Sequence, residues 1–275
     1  LVAVNDISFS LGGGITGLLG PNGAGKSTLL HMMSGFLAPS SGTVKLFGGP
    51  VWRNQERVYR RTGLVAEREA VYGFLTGREM VHLNARLFGL PDPAGATQRA
   101  LERTGMEPFA ERKTATYSKG MKQRIKVACA IVHDPDVLLL DEPFNGTDPA
   151  QRLHLMALLR RMAEDGKTIV FSSHILDEVE RLADQVLVVV AGRLAASGDF
   201  RAIRRLMTDR PHSFIVSSSD NRRLAQALIG EPTVLAVEIA GERLTVRTGQ
   251  FSEFTRVAPR VARDAGITVK EFVPT

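Results

Sequence analysis

The chain has 275 residues, enough for one large domain or two smaller ones, and its 44% hydrophobic and 23% charged residues are the balance of an ordinary globular protein. No run approaches the roughly 18 consecutive apolar residues that cross a bilayer, so any membrane role is expected to come through a partner. The single cysteine, Cys129, excludes an intrachain disulfide or a cysteine-based metal site, and its apolar helical setting predicts a small buried packing residue in a reducing compartment.

A net charge of +6 is modest and spread along the chain. Its clusters at Arg57, Arg60 and Arg61 and at Arg201, Arg204 and Arg205 read as solvated helix faces, so no nucleic-acid partner is expected. The chain opens on Leu1 rather than Met and shows no signal-peptide pattern, so natural residues are expected before it.

In chain order, Val2 to Leu11 alternates like a strand, and Ile15 to Leu19 is an apolar strand that runs into Gly20 to Thr28, reading GPNGAGKST. Ser27 to Phe36 has a helical pattern closed by Pro39 and Gly42. A short strand at Thr43 to Phe47, a helix at Gln55 to Arg61 and an apolar run at Gly63 to Ala66 follow, the last ending on Glu67. Thr76-Gly-Arg-Glu79 has capping-box spacing for a helix stopped by Gly89 and Pro91, and a further helix is expected at Thr97 to Thr104. Ser118 starts the next helix, to about His133. Val137 to Leu140 is continuously apolar, the mark of a parallel strand buried on both faces. Then come a helix at Ala150 to Asp165, a strand at Thr168 to Phe171, the loop Ser172-Ser-His174, a helix to about Ala183 and a strand at Gln185 to Val190. Strands alternating with helices predict a right-handed parallel α/β core.

From about Pro211 the pattern changes to strand (Ser213 to Val216), helix (Asn221 to Leu228), two strands (Thr233 to Ile239, Arg243 to Arg247), helix (Glu253 to Arg263) and strand (Ile267 to Val273), the order of a ferredoxin-like unit. The expected organisation is therefore an α/β P-loop core at 1–210, with a mostly parallel sheet, an antiparallel N-terminal β part and a helical subdomain at about 70–125. A small α+β domain at 211–275 follows.

Chemistry concentrates in three places. The spacing of Gly20, Gly25, Lys26 and Ser27 is that of a phosphate cradle: glycines let backbone N–H groups curl round phosphate oxygens, Lys supplies a cation, and Ser supplies a magnesium ligand. The following helix points its positive end at the same anion. Asp141 ends an apolar strand, where open α/β sheets bind ligands, and is the natural carboxylate for magnesium. Glu142, its neighbour, faces the other way and is free to hold an attacking water. Ser118 is an N-cap, and Gly120 permits close approach of a phosphate to that helix start.

GPNGAGKST at 20–28, YSKGM at 117–121 and LLLDEP at 138–143, in that order, resemble the nucleotide-binding domain of ABC ATPases over about Val2 to Met207. The resemblance implies an ATPase that powers membrane transport. Asn22, Gly23, Ala24, Gly25, Lys26, Ser27 and Thr28 would hold the phosphates of ATP, and Ser27, Asp141 and Glu67 would hold Mg2+. Glu142 would be the general base and His174 the switch histidine at the γ-phosphate. Asn145 to Asp148 matches the D-loop at the dimer seam, and Ser118 and Gly120 would reach the nucleotide of the opposite subunit. Implied partners are a second ATPase subunit, as homodimer or pseudo-dimer, and a separate transmembrane permease that holds the chain at the cytoplasmic face of the membrane. The alternative is a soluble ABC-type ATPase acting on the ribosome or nucleic acid, although the long insertions or tandem ATPase domains usual there are missing.

Three departures stand out. Glu67 replaces the family's Q-loop glutamine, adding negative charge beside the phosphates. Tyr117, Lys119 and Met121 replace the commoner Leu, Gly and Gln, a variant that looks like the bacterial exporters of drugs, polysaccharides or lipids. The aromatic residue that stacks on adenine is expected before Leu1. The C-terminal unit looks like the accessory domain of some such exporters, serving regulation, dimer contact or packing alone.

Overall fold

The apolar runs become neighbouring strands. In the computed structural model, which describes residues 2–67, 71–200, 212–241 and 243–274, the strands β1 (Gly14–Leu19), β4 (Thr62–Val65), β5 (Val137–Leu140), β6 (Thr168–Ser173), β7 (Gln185–Val190) and β8 (Arg193–Asp199) form one sheet. Their order is β4-β5-β6-β1-β7-β8, and all pairs are parallel except β7 with β8. A separate two-stranded hairpin joins β2 (Lys45–Leu46) to β3 (Gly49–Pro50). The helices of this part are α1 (Lys26–Ser34), α2 (Gln55–Arg61), α3 (Gly77–Leu87), α4 (Pro93–Arg103), α5 (Lys119–Ile131), α6 (Pro149–Glu164) and α7 (Leu176–Leu182).

Every residue of β5 is buried, as a continuous apolar run requires when both faces are covered. On one face Leu18, Val137, Leu139, Val170 and Leu187 pack against Leu29, Leu30 and Met33 of α1. On the other face α7 lies close on β1, because a side chain at Gly17 would meet Val179 and Ala183. Each fully buried Leu or Val in these layers stabilises the fold by roughly 1.5–3 kcal/mol.

The expected strand at Val2 to Leu11 does not form. Val4, Ile7, Phe9 and Leu11 are half-buried against the core, the last three on alternate positions, but no ladder pairs them; Asn5 N donates to Gly192 O at 2.7 Å, and Asp6 has φ 52°. Alternation records one-sided packing, and a strand needs a hydrogen-bonded partner as well. The antiparallel N-terminal part of the expected fold is thus reduced to the β2–β3 hairpin. Conversely, β8 has no counterpart in the sequence reading. It is a small, mostly exposed edge strand joined to β7 by the two-residue turn Ala191-Gly192, with φ 49° and 74°. Such turns need positive φ at both positions, and Ala lacks the signal that Asn or Asp carries there.

The helices α3, α4 and α5 pack on one another. Thr76 and Glu79 form the predicted capping box at the start of α3: Thr76 Oγ1 accepts from Glu79 N, and Thr76 N donates to the Glu79 carboxylate. His133, two residues past α5, stacks on Phe88, just past α3, with 3.7 Å between centroids and 9° between planes. Burial pushes its pKa down to about 4. Between about pH 6.5 and 4 the folded chain therefore binds fewer protons than the unfolded one, so this stabilisation is complete above about pH 6.5 and is lost as pH falls toward 4. Urea titrations should show about 2 kcal/mol less acid sensitivity across that window in His133→Leu than in the wild type; equal slopes would refute the burial argument.

The chain divides into two units, residues 1–200 and 201–275. In the second, β9 (His212–Ser218), α8 (Asn221–Ile229), β10 (Val234–Ala240), β11 (Arg243–Thr248), α9 (Phe251–Asp264) and β12 (Val269–Pro274) build an antiparallel sheet in the order β10-β11-β9-β12. That order and the helix placement are those of a ferredoxin-like unit. Its core centres on Phe214, Phe254 and Phe272, whose rings lie 4.9–5.9 Å apart. The basic cluster at Arg201, Arg204 and Arg205 and the expected boundary between 210 and 211 lie outside the described residues.

Candidate active site

Three strand ends converge at the carboxyl edge of the sheet. The loop after β1 climbs from Gly20 and enters α1 at Lys26. At Gly25 φ is 102°, and a Cβ would lie 2.4 Å from Ala3 O, so only glycine closes this turn. The loop is anchored on its inner side, where Ala24 is buried, donates to Pro21 O at 3.2 Å and accepts from Gly192 N at 3.0 Å. Asn22 and Gly23 are exposed on its outer side, and Ser27 and Thr28 form the half-buried first turn of α1.

Lys26 is buried, and its Nζ donates to Gly20 O at 2.7 Å and Pro21 O at 3.1 Å. It also lies 3.6 Å from Glu142 Oε1. The strongest cation of the cradle is thus held by the loop's own carbonyls and by a carboxylate from the end of β5. Phosphate oxygens would offer it the same kind of acceptor.

Asp141 and Glu142 are both buried and point to different neighbours. Asp141 Oδ1 accepts from Ser172 Oγ at 2.5 Å, and Glu142 N donates to the same Ser172 Oγ at 2.9 Å. Glu142 has φ 48°, a left-handed turn that a non-glycine residue rarely adopts. The turn swings its side chain toward Lys26 and His174, whose Nδ1 lies 3.0 and 3.1 Å from the two carboxylate oxygens. An ionised carboxylate only accepts, so Nδ1 carries the hydrogen. Strained backbone of this kind clusters at working sites.

Glu67 is exposed on the turn that follows β4, the neighbour of β5, and Asp141 N donates to Val65 O at 2.8 Å, which ties the two strand ends together. Lys26, Asp141, Glu142 and His174 are therefore one hydrogen-bonded and ion-paired group, with Glu67 on the adjoining strand end. Ser118, Gly120 and Asp148 stand apart: among the described residues, no hydrogen bond or ion pair joins them to that group. Ser118 Oγ caps α5 by accepting from Met121 N at 3.2 Å, and Asp148 Oδ1 caps α6 by accepting from Gln151 N at 2.8 Å. These two helix starts abut each other, since a Cβ at Gly120 would lie 2.1 Å from Gln151 Oε1 and 3.3 Å from Gly146 O.

The sequence pattern described as ABC transporter matches residues 4–145, just over half of the chain. The chain belongs to the ABC transporter family. Among ABC relatives, it is 37% identical over 194 residues to the bacitracin transport ATP-binding protein BcrA of Bacillus licheniformis, covering 70% of this chain and 63% of that protein. It is 40% identical over 200 residues to the Nod factor export ATP-binding protein I of Burkholderia orbicola (strain AU 1054), covering 72% of this chain and 66% of that one. The ABC chain thus spans less than two thirds of the length of these relatives. A solved structure titled as the ATP binding subunit of an ABC transporter shares 31% identity, with a TM-score of 0.68 over 74% of this chain and 87% of the other.

Two residues bonded to this group or to the Glu67 turn escape a reading of motifs. Ser172 bridges Asp141 and Glu142 although thirty residues separate them, and Lys126 of α5 reaches the turn before Glu67. Ser172 was within reach of inference: Leu140 pairs with Phe171, so the next residues on β5 and β6 are neighbours wherever those strands lie side by side. Lys126 has no such signal, since it occupies one position in an apolar helix.

Proposed function

We propose that this chain is the ATP-binding and ATP-hydrolysing subunit of a membrane ABC transporter, an exporter, and that it works by closing head to tail with a second ATPase subunit around ATP. The observation that carries this reading is the Lys26–Glu142–His174 group beside Asp141. It supplies a phosphate cation, a base and an orienting imidazole on one edge of the sheet. The separation of Ser118 and Gly120 from that group supports the second part. A helix start with a side-chain cap and a glycine suits phosphate, and here it lacks a bond to the chain's own cradle, so a facing subunit's nucleotide is its natural ligand.

In the proposed reaction, water attacks the γ-phosphorus of ATP and passes its proton to the Glu142 carboxylate. The bond from γ-phosphorus to the bridging oxygen breaks, giving ADP and phosphate. Lys26 exchanges the Gly20 and Pro21 carbonyls for phosphate oxygens, and His174 orients Glu142 through Nδ1. The residues fit Mg2+: Ser27, Asp141 and Glu67 are hard oxygen donors, and among the described residues no protein hydrogen bond reaches Asp141 Oδ2. No cluster of three His, Cys, Asp or Glu forms a metal cage among the described residues, which suits an ion shared with phosphate. When bound, Mg2+ neutralises charge on the phosphate oxygens.

Coupling to a permease is supported by the helical part that follows Glu67. Tyr72, Phe74, Leu83 and Leu87 expose large apolar surfaces there, the chemistry of a protein-docking face. No helix among the described residues is long and apolar enough to cross a membrane, so this reading places the chain at the cytoplasmic face through that partner. Two relatives are named for bacitracin transport and Nod factor export, which supports an exporter. The test is purification from detergent extracts of the native host. A co-purifying membrane protein that raises the ATPase rate is expected, whereas enrichment of ribosomal RNA without one would overturn the transporter reading.

A further inference from the structure

Lys126 stands on the third turn of α5, and it is 7% exposed. Burying an ammonium is costly unless its hydrogens are satisfied and its charge is balanced. An apolar residue of similar length would fill the same space between α5 and β4. Instead the chain places a cation there, and its Nζ donates to Ala66 O at 2.7 Å and Glu67 O at 3.2 Å.

Both acceptors belong to the turn that carries Glu67. That turn leaves β4 immediately after Val65, whose carbonyl accepts from Asp141 N. The ammonium therefore braces the Glu67 backbone one strand away from the carboxylate at the end of β5. Glu67 also brings a formal negative charge to a place where ATP phosphates are expected, and two anionic groups side by side repel. A cation held beneath the backbone of the same residue offsets part of that repulsion.

We propose that Lys126 is a positioning residue of the nucleotide site, clamping the Ala66–Glu67 turn to α5 and balancing the Glu67 carboxylate against the phosphates. This rests on the ATP-binding function proposed above. It also gives a physical reason why a carboxylate is accommodated at position 67: the compensating charge comes from a helix distant in sequence.

Two measurements test it, neither depending on turnover. In nucleotide-free protein, hydrogen exchange at residues 62–67 should be roughly tenfold faster in Lys126→Met than in the wild type, because two carbonyl anchors are lost. Unchanged exchange would remove the clamp. Second, ATP affinity is measured in EDTA across a double-mutant cycle with Glu67→Gln. Lys126→Met should weaken ATP roughly tenfold when Glu67 is present and less than about threefold in the Glu67→Gln background. Equal losses in both backgrounds would show that Lys126 is only a packing residue and would overturn the balancing role. Lys126→Gln keeps a donor for the carbonyls and removes only the charge, so it should reproduce the affinity coupling with a smaller exchange effect, and it carries the cycle if the Met variant does not fold. Wild-type protein that fails to bind ATP at all would instead overturn the proposed function, a result distinct from either of these.

Discussion

Glu142→Gln is expected to lower steady-state ATP hydrolysis by roughly 100-fold or more, the usual contribution of a positioned general base. The substitution is nearly isosteric and keeps an acceptor for His174 Nδ1, now at 3.0–3.1 Å from the carboxylate, so the loop around His174 should hold its place. What disappears is the ability to take a proton from water. ATP binding should survive, because the cradle from Gly20 to Thr28 is untouched, and ATP should therefore accumulate in an unhydrolysed dimer detectable by size-exclusion chromatography. In the nucleotide-free chain the change also removes the carboxylate 3.6 Å from the Lys26 ammonium, which leaves Lys26 more available to phosphate. Hydrolysis at the wild-type rate would exclude Glu142 as the base.

Lys26→Ala should weaken ATP binding by roughly 100-fold, the loss of one or two charge-assisted hydrogen bonds at about 1.5–3 kcal/mol each. It acts on both states. With ATP, the phosphates lose their only cation on the first turn of α1. Without ATP, Glu142 loses its ion pair, and the Gly20 and Pro21 carbonyls lose a donor, so the variant should also unfold at lower temperature. Equilibrium binding of ATP, measured with and without Mg2+, checks the first effect and thermal unfolding the second. Affinity within twofold of wild type would overturn the phosphate role of Lys26. The two variants also separate the site's tasks, since one stops at chemistry and the other at binding.

Much of the fold was legible because it follows from local periodicity. The run Val137 to Leu140 and the helix Gln55 to Arg61 appear with the expected limits, and the capping box at Thr76 and Glu79 forms as its spacing requires. The second unit was legible as an element order. Errors arose where the same local pattern serves two structures. Alternation at Ile7, Phe9 and Leu11 marks a half-buried segment whether or not a partner strand pairs with it, and β8 hides because a mostly exposed edge strand has no continuous apolar face to announce it.

At the site, the chemistry-bearing residues of the cradle and of the Asp141-Glu142 end were legible, since a glycine-rich turn between strand and helix and a carboxylate after an apolar strand are constrained by their immediate neighbours. How they meet was not. That Lys26 rests on Gly20 and Glu142, that Ser172 holds both Asp141 and Glu142, and that Lys126 braces the Glu67 turn depends on β6 lying between β1 and β5 and on α5 packing against β4. The sequence alone marked the groups proposed to bind phosphate, metal and water, because residue type and short spacing set that chemistry. The tertiary structure decided which of them share one site. Strand order and register are settled by the burial of whole faces at once, and no short stretch of chain carries that information.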